Sequence, residues 1–219
     1  MIQKYNYNYY EPLEQMTAVR HQYMSKIIKK VTHINIYEYL NNKKILDIGC
    51  GTGEFLKNYH DLNNQCSGID IEKNFKFKNK IGFTLKNTDI KSFINNNKKK
   101  FDVIFIFEFL EHLNLSDREF LFKNLFKLLN KNSLIFISTL NKNIISKFLA
   151  IDVAENYLEL LPKKTHDDKY FLKPSEIQNL ANNNKLHLVD ISGMTYNPLF
   201  KSFKLSKIDL VNYFVSLRN

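Results

Sequence analysis

The sequence predicts an α/β fold built on a mostly parallel sheet. Short apolar runs alternate with segments of helical spacing, which is typical of parallel strands joined by right-handed crossovers. The run FDVIFIFEF at residues 101–109 is almost entirely apolar, as expected for a central strand covered on both faces. A glycine-rich turn, GCGTG at residues 49–53, follows the first apolar run and precedes a helical segment. These features indicate a sheet-based domain with a ligand-binding turn.

Length and composition fit a single domain over residues 1–219. The chain has 44% hydrophobic residues, enough for one sizeable core. It contains no apolar run of about 18 residues, and its start, MIQKYNYNYYEP, lacks the apolar core of a signal peptide. Cys50 and Cys66 fit neither a metal site nor a disulfide framework, which agrees with a reducing compartment. We therefore expect a cytoplasmic protein.

The elements are predicted in chain order from an N-terminal helical arm at residues 1–43, where Met16, Val19 and Tyr23 recur at helical spacing. Predicted strands cover residues 44–48, 66–71, 83–88, 101–109, 133–139, 187–194 and 212–218. A helix starts at Ser116, which has capping-box spacing with a later glutamate. Residues 141–174 interrupt the alternation of strands and helices, so we expect an insertion there.

The glycine turn and a later aspartate predict a nucleoside-binding site. Gly49, Gly51 and Gly53 allow a tight turn and let a ligand lie against bare backbone at a helix N-terminus. Asp70 lies 21 positions after Gly49, where a carboxylate can accept hydrogen bonds from both hydroxyls of a ribose. Asp47 beside the turn disfavours a pyrophosphate and suits a cationic group. A ribose with a cationic group indicates S-adenosylmethionine. The alternative is a tight turn that binds no ligand.

Two sets of motifs resemble known methyltransferases. LDIGCGTG, GIDI and FDVIFIFEFLEHL resemble motif I, the ribose-binding acid and the fourth-strand motif of class I S-adenosylmethionine-dependent methyltransferases. STLNKN, LLPKKTHDDKYFLKPSE, GMTYNPLFKSFKLS and DLVNYFV resemble the ubiquinone-biosynthesis O-methyltransferases of the UbiG type. This second similarity extends from Pro12 to the end of the chain.

The resemblance implies a Rossmann-like class I methyltransferase fold, with a seven-stranded, mostly parallel sheet, helices on both faces and a helical insertion after strand 5. It implies S-adenosyl-L-methionine as the cofactor. It also implies an O-methyltransferase that methylates hydroxyls of polyprenylated phenol or catechol intermediates in ubiquinone (coenzyme Q) biosynthesis. Because related enzymes are stimulated by metals, a divalent cation such as Mg²⁺ is a further expected cofactor.

The resemblance also assigns cofactor contacts. Arg20 is expected to pair with the methionyl carboxylate, which a lysine would bind less well, and the alternative is a solvated helix arginine. Phe107 is expected to form an apolar wall beside the adenosine, or else to be a plain core residue. Asp89 is expected to hydrogen-bond the adenine amine. The remaining expected cofactor contacts are Asp47, Gly49, Gly51, Gly53, Asp70 and Ile71.

The stretch FEFLEHL supplies the catalytic candidates. Glu108, Glu111 and His112 stand at i, i+3 and i+4, so a helical turn would project all three to one side. Such a set is expected to hold a divalent cation that favours the phenolate of the acceptor. Without a metal, His112 or Glu108 would act as the general base. The alternative is that these residues only cap and orient the end of the strand.

The insertion resembles the substrate-cover region of the family. Its apolar stretch at residues 144–153 is flanked by lysines, a pattern typical of an amphipathic helix on an anionic membrane. A lid helix that packs on its own domain is the alternative. His166, in a THD motif, is expected to line the acceptor pocket. We therefore expect peripheral contact with the inner face of a membrane, and other ubiquinone-biosynthesis enzymes as partners.

Net charge leaves a different class of function open. The formal net charge of +10 suits nucleic-acid binding, but only three of the 32 basic residues are arginine, and a dedicated reader of nucleic acids more often uses arginine. No nucleic-acid partner is therefore expected. The alternatives are an O-methyltransferase for another small phenol, a basic nucleic-acid-modifying methyltransferase, and a non-catalytic subunit that binds the cofactor.

Overall fold

A computed structural model of the protein describes residues 11–60, 62, 64–143, 146, 168–197 and 202–219. Within these ranges, eight strands form a single sheet. The strands are β1 (Lys44–Ile48), β2 (Gln65–Asp70), β3 (Phe83–Asn87), β4 (Phe101–Phe107), β5 (Leu129–Leu140), β6 (His187–Asn197), β7 (Ser202–Ser206) and β8 (Asn212–Arg218). The α-helices are α1 (Glu11–Thr32), α2 (Ile36–Leu40), α3 (Glu54–His60), α4 (Ile90–Asn96), α5 (Leu115–Asn124) and α6 (Pro174–Asn183). Short 3₁₀ turns occur at Leu110–His112, Leu125–Lys127 and Asp168–Tyr170.

The sheet combines a parallel half with an antiparallel half. Its strand order is β3-β2-β1-β4-β5-β8-β6-β7. Every neighbouring pair from β3 to β5 is parallel, whereas the pairs β5–β8, β8–β6 and β6–β7 are antiparallel. This arrangement confirms the predicted Rossmann-like α/β fold.

The predicted number of seven strands is wrong, because the described sheet has eight. The additional strand is β7, which pairs with the end of β6, and β6 continues to Asn197 instead of ending at residue 194. In β7, Phe203 and Leu205 are half-buried and Lys204 between them is exposed. So short an alternation is a weak sequence signal, because a strand at a sheet edge depends on its pairing partner.

Helices cover both faces of the sheet, as predicted. Val103 and Phe105 of β4 pack with α1, α2 and α3, whereas Ile104 and Ile106 pack with α4, α5 and α6. All four of these side chains are fully buried. A strand between two helical layers presents neither face to water, which explains the continuous apolar run of β4.

Helix α1 is attached to the antiparallel half of the sheet. The ring of Tyr23 stacks on that of Phe214 in β8, with 4.8 Å between the ring centres. The Lys26 ammonium donates a hydrogen bond to the hydroxyl of Ser192 in β6 at 3.0 Å. These contacts fix the register of α1, and they position Arg20, one turn earlier, over Phe107 at the end of β4.

The ends of three strands meet at the edge of the sheet where the catalytic candidates lie. Phe107 of β4 pairs with Ser138 of β5, and Leu140 of β5 pairs with Asn212 of β8. A bridge joins Asn141 to Leu172, so the described flanks of the predicted insertion come together at this edge. Because β8 runs antiparallel to β5, its first residue lies beside the last residue of β5.

Most of the predicted insertion lies outside the described residues. Between residues 144 and 167 only Ser146 is described, so the lid or membrane helix, the flanking Lys147, Lys163 and Lys164, and His166 stay predictions. The first ten residues of the predicted N-terminal arm are likewise outside the described part. In the ranges that are described, no helix is long and apolar enough to cross a membrane.

Candidate active site

The glycine turn after β1 has the open backbone that the sequence predicts. Gly49, Gly51 and Gly53 have φ values of +76°, +52° and +83°, in the region that favours glycine. A Cβ on Gly49 would approach Cδ2 of Phe109 to 2.5 Å, and a Cβ on Gly53 would approach Cδ1 of Leu85 to 2.7 Å. Gly51 is exposed and has open space beside it. A ligand can therefore approach the backbone at Gly51.

Asp70, the last residue of β2, lies beside this turn. Its Oδ2 accepts a hydrogen bond from the Gly51 N–H at 2.8 Å, and its Oδ1 accepts one from the Glu72 N–H at 2.9 Å. Each carboxylate oxygen keeps a further lone pair for a ribose hydroxyl. The next residue, Ile71, is 71% exposed, which leaves a large apolar side chain uncovered beside the turn.

Asp89 has a structural role in α4. It is the N-cap residue of this helix, and its side chain accepts a hydrogen bond from the Ser92 N–H at 2.9 Å. The hydrogen bonds from Ser92 lower the pKa of Asp89. The predicted contact with an adenine amine therefore stays a prediction, and it would have to share this carboxylate with the helix cap.

Arg20 is a buried cation on a platform of aromatic rings. The residue is 8% exposed, and its guanidinium carbon lies 5.0 Å from the ring centre of Phe107 and 5.6 Å from that of Phe55. Within the described residues, its Nε has no hydrogen-bond partner. Leaving a buried charged donor unpaired is costly, so this arrangement favours binding of an anion. The structure thus brings Phe107 to Arg20, at the end of the site where the methionyl carboxylate is expected.

Three carboxyl groups surround the Arg20 guanidinium. Burial lowers the pKa of Arg20, and Glu108, Asp47 and Glu111 raise it, in that order of strength. Asp47 ends up 4% exposed near the end of β1, and burial raises its pKa to about 7. Arg20 opposes this rise, and the nearby Asp70 adds to it. The site therefore combines one buried cation with several carboxyl groups, one of which has a pKa of about 7.

Glu108 directly follows β4 and adopts a strained backbone conformation. Its φ of +48° lies in the left-handed region that residues with a Cβ rarely adopt. Its N–H donates to the Ser138 carbonyl oxygen at 3.0 Å. The Ser138 hydroxyl donates to its Oε1 at 2.7 Å, and the Asn212 amide donates to its Oε2 at 3.3 Å. Strain that is held by neighbouring strands in this way is typical of functional sites.

Glu111 is buried beside Glu108 and Thr139. It is 2% exposed, the Thr139 hydroxyl donates to its Oε2 at 2.7 Å, and its Oε1 has no hydrogen-bond partner in the described part of the chain. Burial raises the pKa of Glu111 well above its usual range, and Glu108 raises it further. The carboxyl of Glu111 thus favours its neutral, protonated form.

The prediction that three side chains project to one side assumed an α-helical turn. The strand ends at Phe107, and the residues that follow form a 3₁₀ turn at Leu110–His112 instead. Glu108 lies outside this turn, so helical spacing does not relate its side chain to that of His112. Glu111 is buried, whereas His112 is exposed.

The metal site predicted at Glu108, Glu111 and His112 does not fit this arrangement. Among the described residues, no group of three or more His, Cys, Asp or Glu side chains is placed to hold a metal ion. The carboxyl of Glu111 is buried against Thr139, and His112 lies at the surface, so the two do not face a common point. We therefore derive no catalytic step from a divalent cation.

Sequence analysis missed several residues that support the site. Ser138 and Thr139 end a buried strand, and Asn212 begins the strand beside it. Buried Arg118 in α5 donates from Nε to the Leu110 carbonyl oxygen at 3.0 Å, which fixes the 3₁₀ turn. The sequence signal for Ser138, Thr139 and Asn212 is the presence of polar residues at the ends of apolar strands. Arg118 carries no comparable signal, because its partner is a backbone carbonyl.

Comparison with protein families and with curated proteins identifies clear relatives. The family described as "Methyltransferase domain" matches residues 19–190. A ubiquinone biosynthesis O-methyltransferase of Pelagibacter ubique (strain HTCC1062) is 38% identical over 212 residues, which is 93% of this chain and 87% of that protein. A protein of the same name from Bartonella tribocorum is 37% identical over 79% of this chain and 72% of its own length.

Solved structures with the same fold are S-adenosylmethionine-dependent enzymes. The plantazolicin methyltransferase BamL, solved with S-adenosylhomocysteine (SAH), matches with a TM-score of 0.68 and 16% identity over 97% of this chain and 88% of its own. The magnesium protoporphyrin IX methyltransferase of Synechocystis PCC 6803, also with SAH, matches with a TM-score of 0.62 and 14% identity over 99% and 88%. At these identities the likeness shows the fold alone.

Replacing Arg20 by methionine should weaken SAH binding by roughly 10- to 100-fold, because a hydrogen bond to a charged group contributes about 1.5–3 kcal/mol. The midpoint of thermal unfolding of the ligand-free protein should change little, since removal of a desolvated cation opposes the loss of its attraction to the nearby carboxyl groups. Calorimetric titration and thermal unfolding measure the two quantities. Arg218→Met, at the opposite edge of the sheet, is the matched control and should keep full affinity. Unchanged affinity in Arg20→Met would contradict the assignment.

Asp47 should make the ligand-free protein less stable as the pH rises. The folded-state pKa of Asp47, about 7, exceeds the ordinary value of 3.8. The contribution of Asp47 to the free energy of unfolding is therefore complete below pH 3.8, and it is lost as the pH rises through about 7. Relative to Asp47→Asn, the wild type should lose up to about 4 kcal/mol of unfolding free energy between pH 4 and pH 8. Urea unfolding over this range tests the effect. Asp89→Asn, at an exposed helix cap, should show no such loss, and a pH-independent difference for Asp47→Asn would refute the prediction.

Proposed function

The chain belongs to the family of ubiquinone biosynthesis O-methyltransferases, and on this premise we propose that it methylates a hydroxyl of a polyprenylated phenol or catechol in ubiquinone biosynthesis. S-adenosylmethionine, when bound, supplies a methyl group on a positively charged sulfur. Because this methyl is already reactive, the protein has to bind the cofactor, exclude water, align the acceptor oxygen and accept its proton.

The residues around the glycine turn suit the three parts of the cofactor. Asp70 accepts hydrogen bonds from the ribose hydroxyls, and the exposed Ile71 covers the adenine. Arg20 binds the methionyl carboxylate, which supplies the anion that its buried guanidinium lacks. Asp47 and Glu108 lie near the same guanidinium, so their negative charge offsets the sulfonium.

Glu108 accepts the proton of the acceptor hydroxyl. The observation that supports this assignment is that Glu108 directly follows Phe107, whose ring centre lies 5.0 Å from the Arg20 guanidinium carbon, and that neighbouring strands hold both of its carboxylate oxygens. Ser138 and Asn212 hold both of its oxygens, and each oxygen keeps a lone pair for the acceptor. A positioned carboxylate of this kind is a suitable general base for a phenolic hydroxyl.

His112 is the other candidate base, and its position argues against it. The imidazole belongs to an exposed residue on the outer side of the 3₁₀ turn, whereas Glu108 is half-buried between strand ends. An acceptor oxygen in line with the sulfonium has to lie inside the edge of the sheet, where Glu108 lies. His112 instead belongs to the rim of the site.

The protein binds its acceptor at a membrane surface. The apolar stretch at residues 144–153 and its flanking lysines support this proposal from the sequence, because they form the pattern of an interfacial helix. A polyprenylated acceptor is concentrated in a bilayer, so such contact would raise its local concentration. No described residue bears on contacts with other enzymes of the pathway.

The proposed activity is tested by transfer of labelled methyl to a polyprenyl catechol and to a soluble catechol without a tail. The value of kcat/KM should be at least about tenfold higher for the prenylated acceptor, because the tail adds apolar contact area. Turnover should survive a chelator, since the predicted metal ligands do not converge. Equal activity on both catechols would contradict the ubiquinone assignment. Loss of turnover on chelation would contradict the metal-free site.

Replacing Glu108 by glutamine should lower kcat by roughly 10²- to 10⁴-fold with little change in SAH affinity, because it removes the proton acceptor but keeps the side-chain shape. His112→Gln should lower kcat far less. Glu119→Gln, on the exposed side of α5, is the matched control and should leave both quantities unchanged. A larger loss in His112→Gln than in Glu108→Gln would reverse the assignment of the base.

A further inference from the structure

The backbone of the loop at residues 207–211, between β7 and β8, is held by hydrogen bonds from other residues. The Asn141 amide donates to the Asp209 carbonyl oxygen at 2.6 Å, and the Asn141 N–H donates to that of Val211 at 2.7 Å. The Asn143 amide and the Ser146 hydroxyl both donate to the Leu210 carbonyl oxygen at 2.7 Å. The 207–211 loop is therefore attached to the first residues of the insertion through several hydrogen bonds.

A glycine holds the same loop from its other side. A Cβ on Gly193 in β6 would overlap the carbonyl group of Ile208, so only glycine lets the strand and the 207–211 loop come this close. The Ile208 N–H also donates to the Ser206 hydroxyl oxygen at 2.9 Å. With its backbone engaged on both sides, the 207–211 loop cannot turn its apolar side chains inward without breaking these contacts.

Two apolar side chains of the 207–211 loop face water, whereas Val211 packs against Leu140 and Phe171. Ile208 is 56% exposed and Leu210 is 44% exposed. Among the exposed large apolar residues of the described chain, no other two lie so close together in sequence. Lys207 beside them is exposed as well. Two bulky apolar side chains kept in water by a fixed backbone form a small, preformed contact surface.

This surface precedes in sequence the residue that contacts the proposed base. The loop runs directly into β8, whose first residue, Asn212, donates to Oε2 of Glu108 at 3.3 Å. Leu210 is thus two residues from a side chain that contacts the proposed base. An acceptor ring whose hydroxyl reaches Glu108 has to extend the rest of its structure past this edge of the sheet.

We propose that Ile208 and Leu210 form the contact surface for the apolar tail of the acceptor. This inference rests on the proposed function, which supplies an acceptor with a prenyl tail. A stable protein partner would bury about 800 Å² on each side, far more than two side chains offer. A flexible branched hydrocarbon chain matches two adjacent aliphatic side chains, and it can be covered by them while its ring is bound at Glu108. The loop thereby determines the preference for a tailed acceptor.

The experiment compares Ile208→Ser/Leu210→Ser with the wild type on two acceptors, a farnesyl catechol and a catechol without a tail, in solution without lipid. The KM for the farnesyl catechol should rise at least about tenfold, while kcat and the KM for the tail-free catechol change less than about twofold. The conservative double variant Ile208→Leu/Leu210→Ile should restore the low KM. Phe126→Ser removes a 61% exposed apolar side chain at the opposite edge of the sheet and should have no effect on either acceptor.

The outcomes separate the inference from the proposed function. If the wild type does not prefer the farnesyl catechol, the proposed function fails, and this inference fails with it. If the wild type prefers the tail and the serine variant keeps that preference, only the inference is overturned. An equal loss on both acceptors would also overturn it, because the loop would then act on the catalytic site as a whole.

Discussion

The buried charge of Arg20 is the constraint around which the site is organised. Its guanidinium is removed from water over two aromatic rings, and its Nε has no hydrogen-bond partner among the described residues. Burial also raises the pKa of two nearby carboxyl groups, those of Asp47 and Glu111. A ligand that carries one carboxylate and one positively charged sulfur satisfies this set of charges better than water does.

Strands of the antiparallel half of the sheet hold side chains that the parallel half brings to the site. A parallel sheet brings Asp47, Asp70 and Glu108 to one edge, because its strands all end there. The contacts that hold Glu108 come from β5 and from β8, whose first residue reaches the edge only because that strand runs antiparallel. The same reversal brings the 207–211 loop to the edge of the sheet where Glu108 lies.

The predicted cofactor contacts depend on local features of the sequence, whereas the geometry of the predicted catalytic residues depends on packing. The glycine turn and Asp70 depend on local backbone geometry and on a fixed spacing between neighbouring parallel strands, which a sequence displays directly. The i, i+3, i+4 pattern of Glu108, Glu111 and His112 is equally visible, yet it assumed an α-helical turn. Whether a short turn after a strand is α or 3₁₀ depends on packing, here on the hydrogen bond from Arg118 to Leu110.

The fold class, the position of the glycine turn and the family follow from the sequence, because strand periodicity, glycine positions and motif spacing are local properties of the chain. Tertiary contacts were needed to show that Glu111 is buried with a raised pKa, that Asn212 donates a hydrogen bond to Glu108 and that an eighth strand extends the sheet. These features depend on contacts between residues far apart in sequence. Burial, which sets both the pKa values and the pairing of edge strands, exists only once the chain is folded.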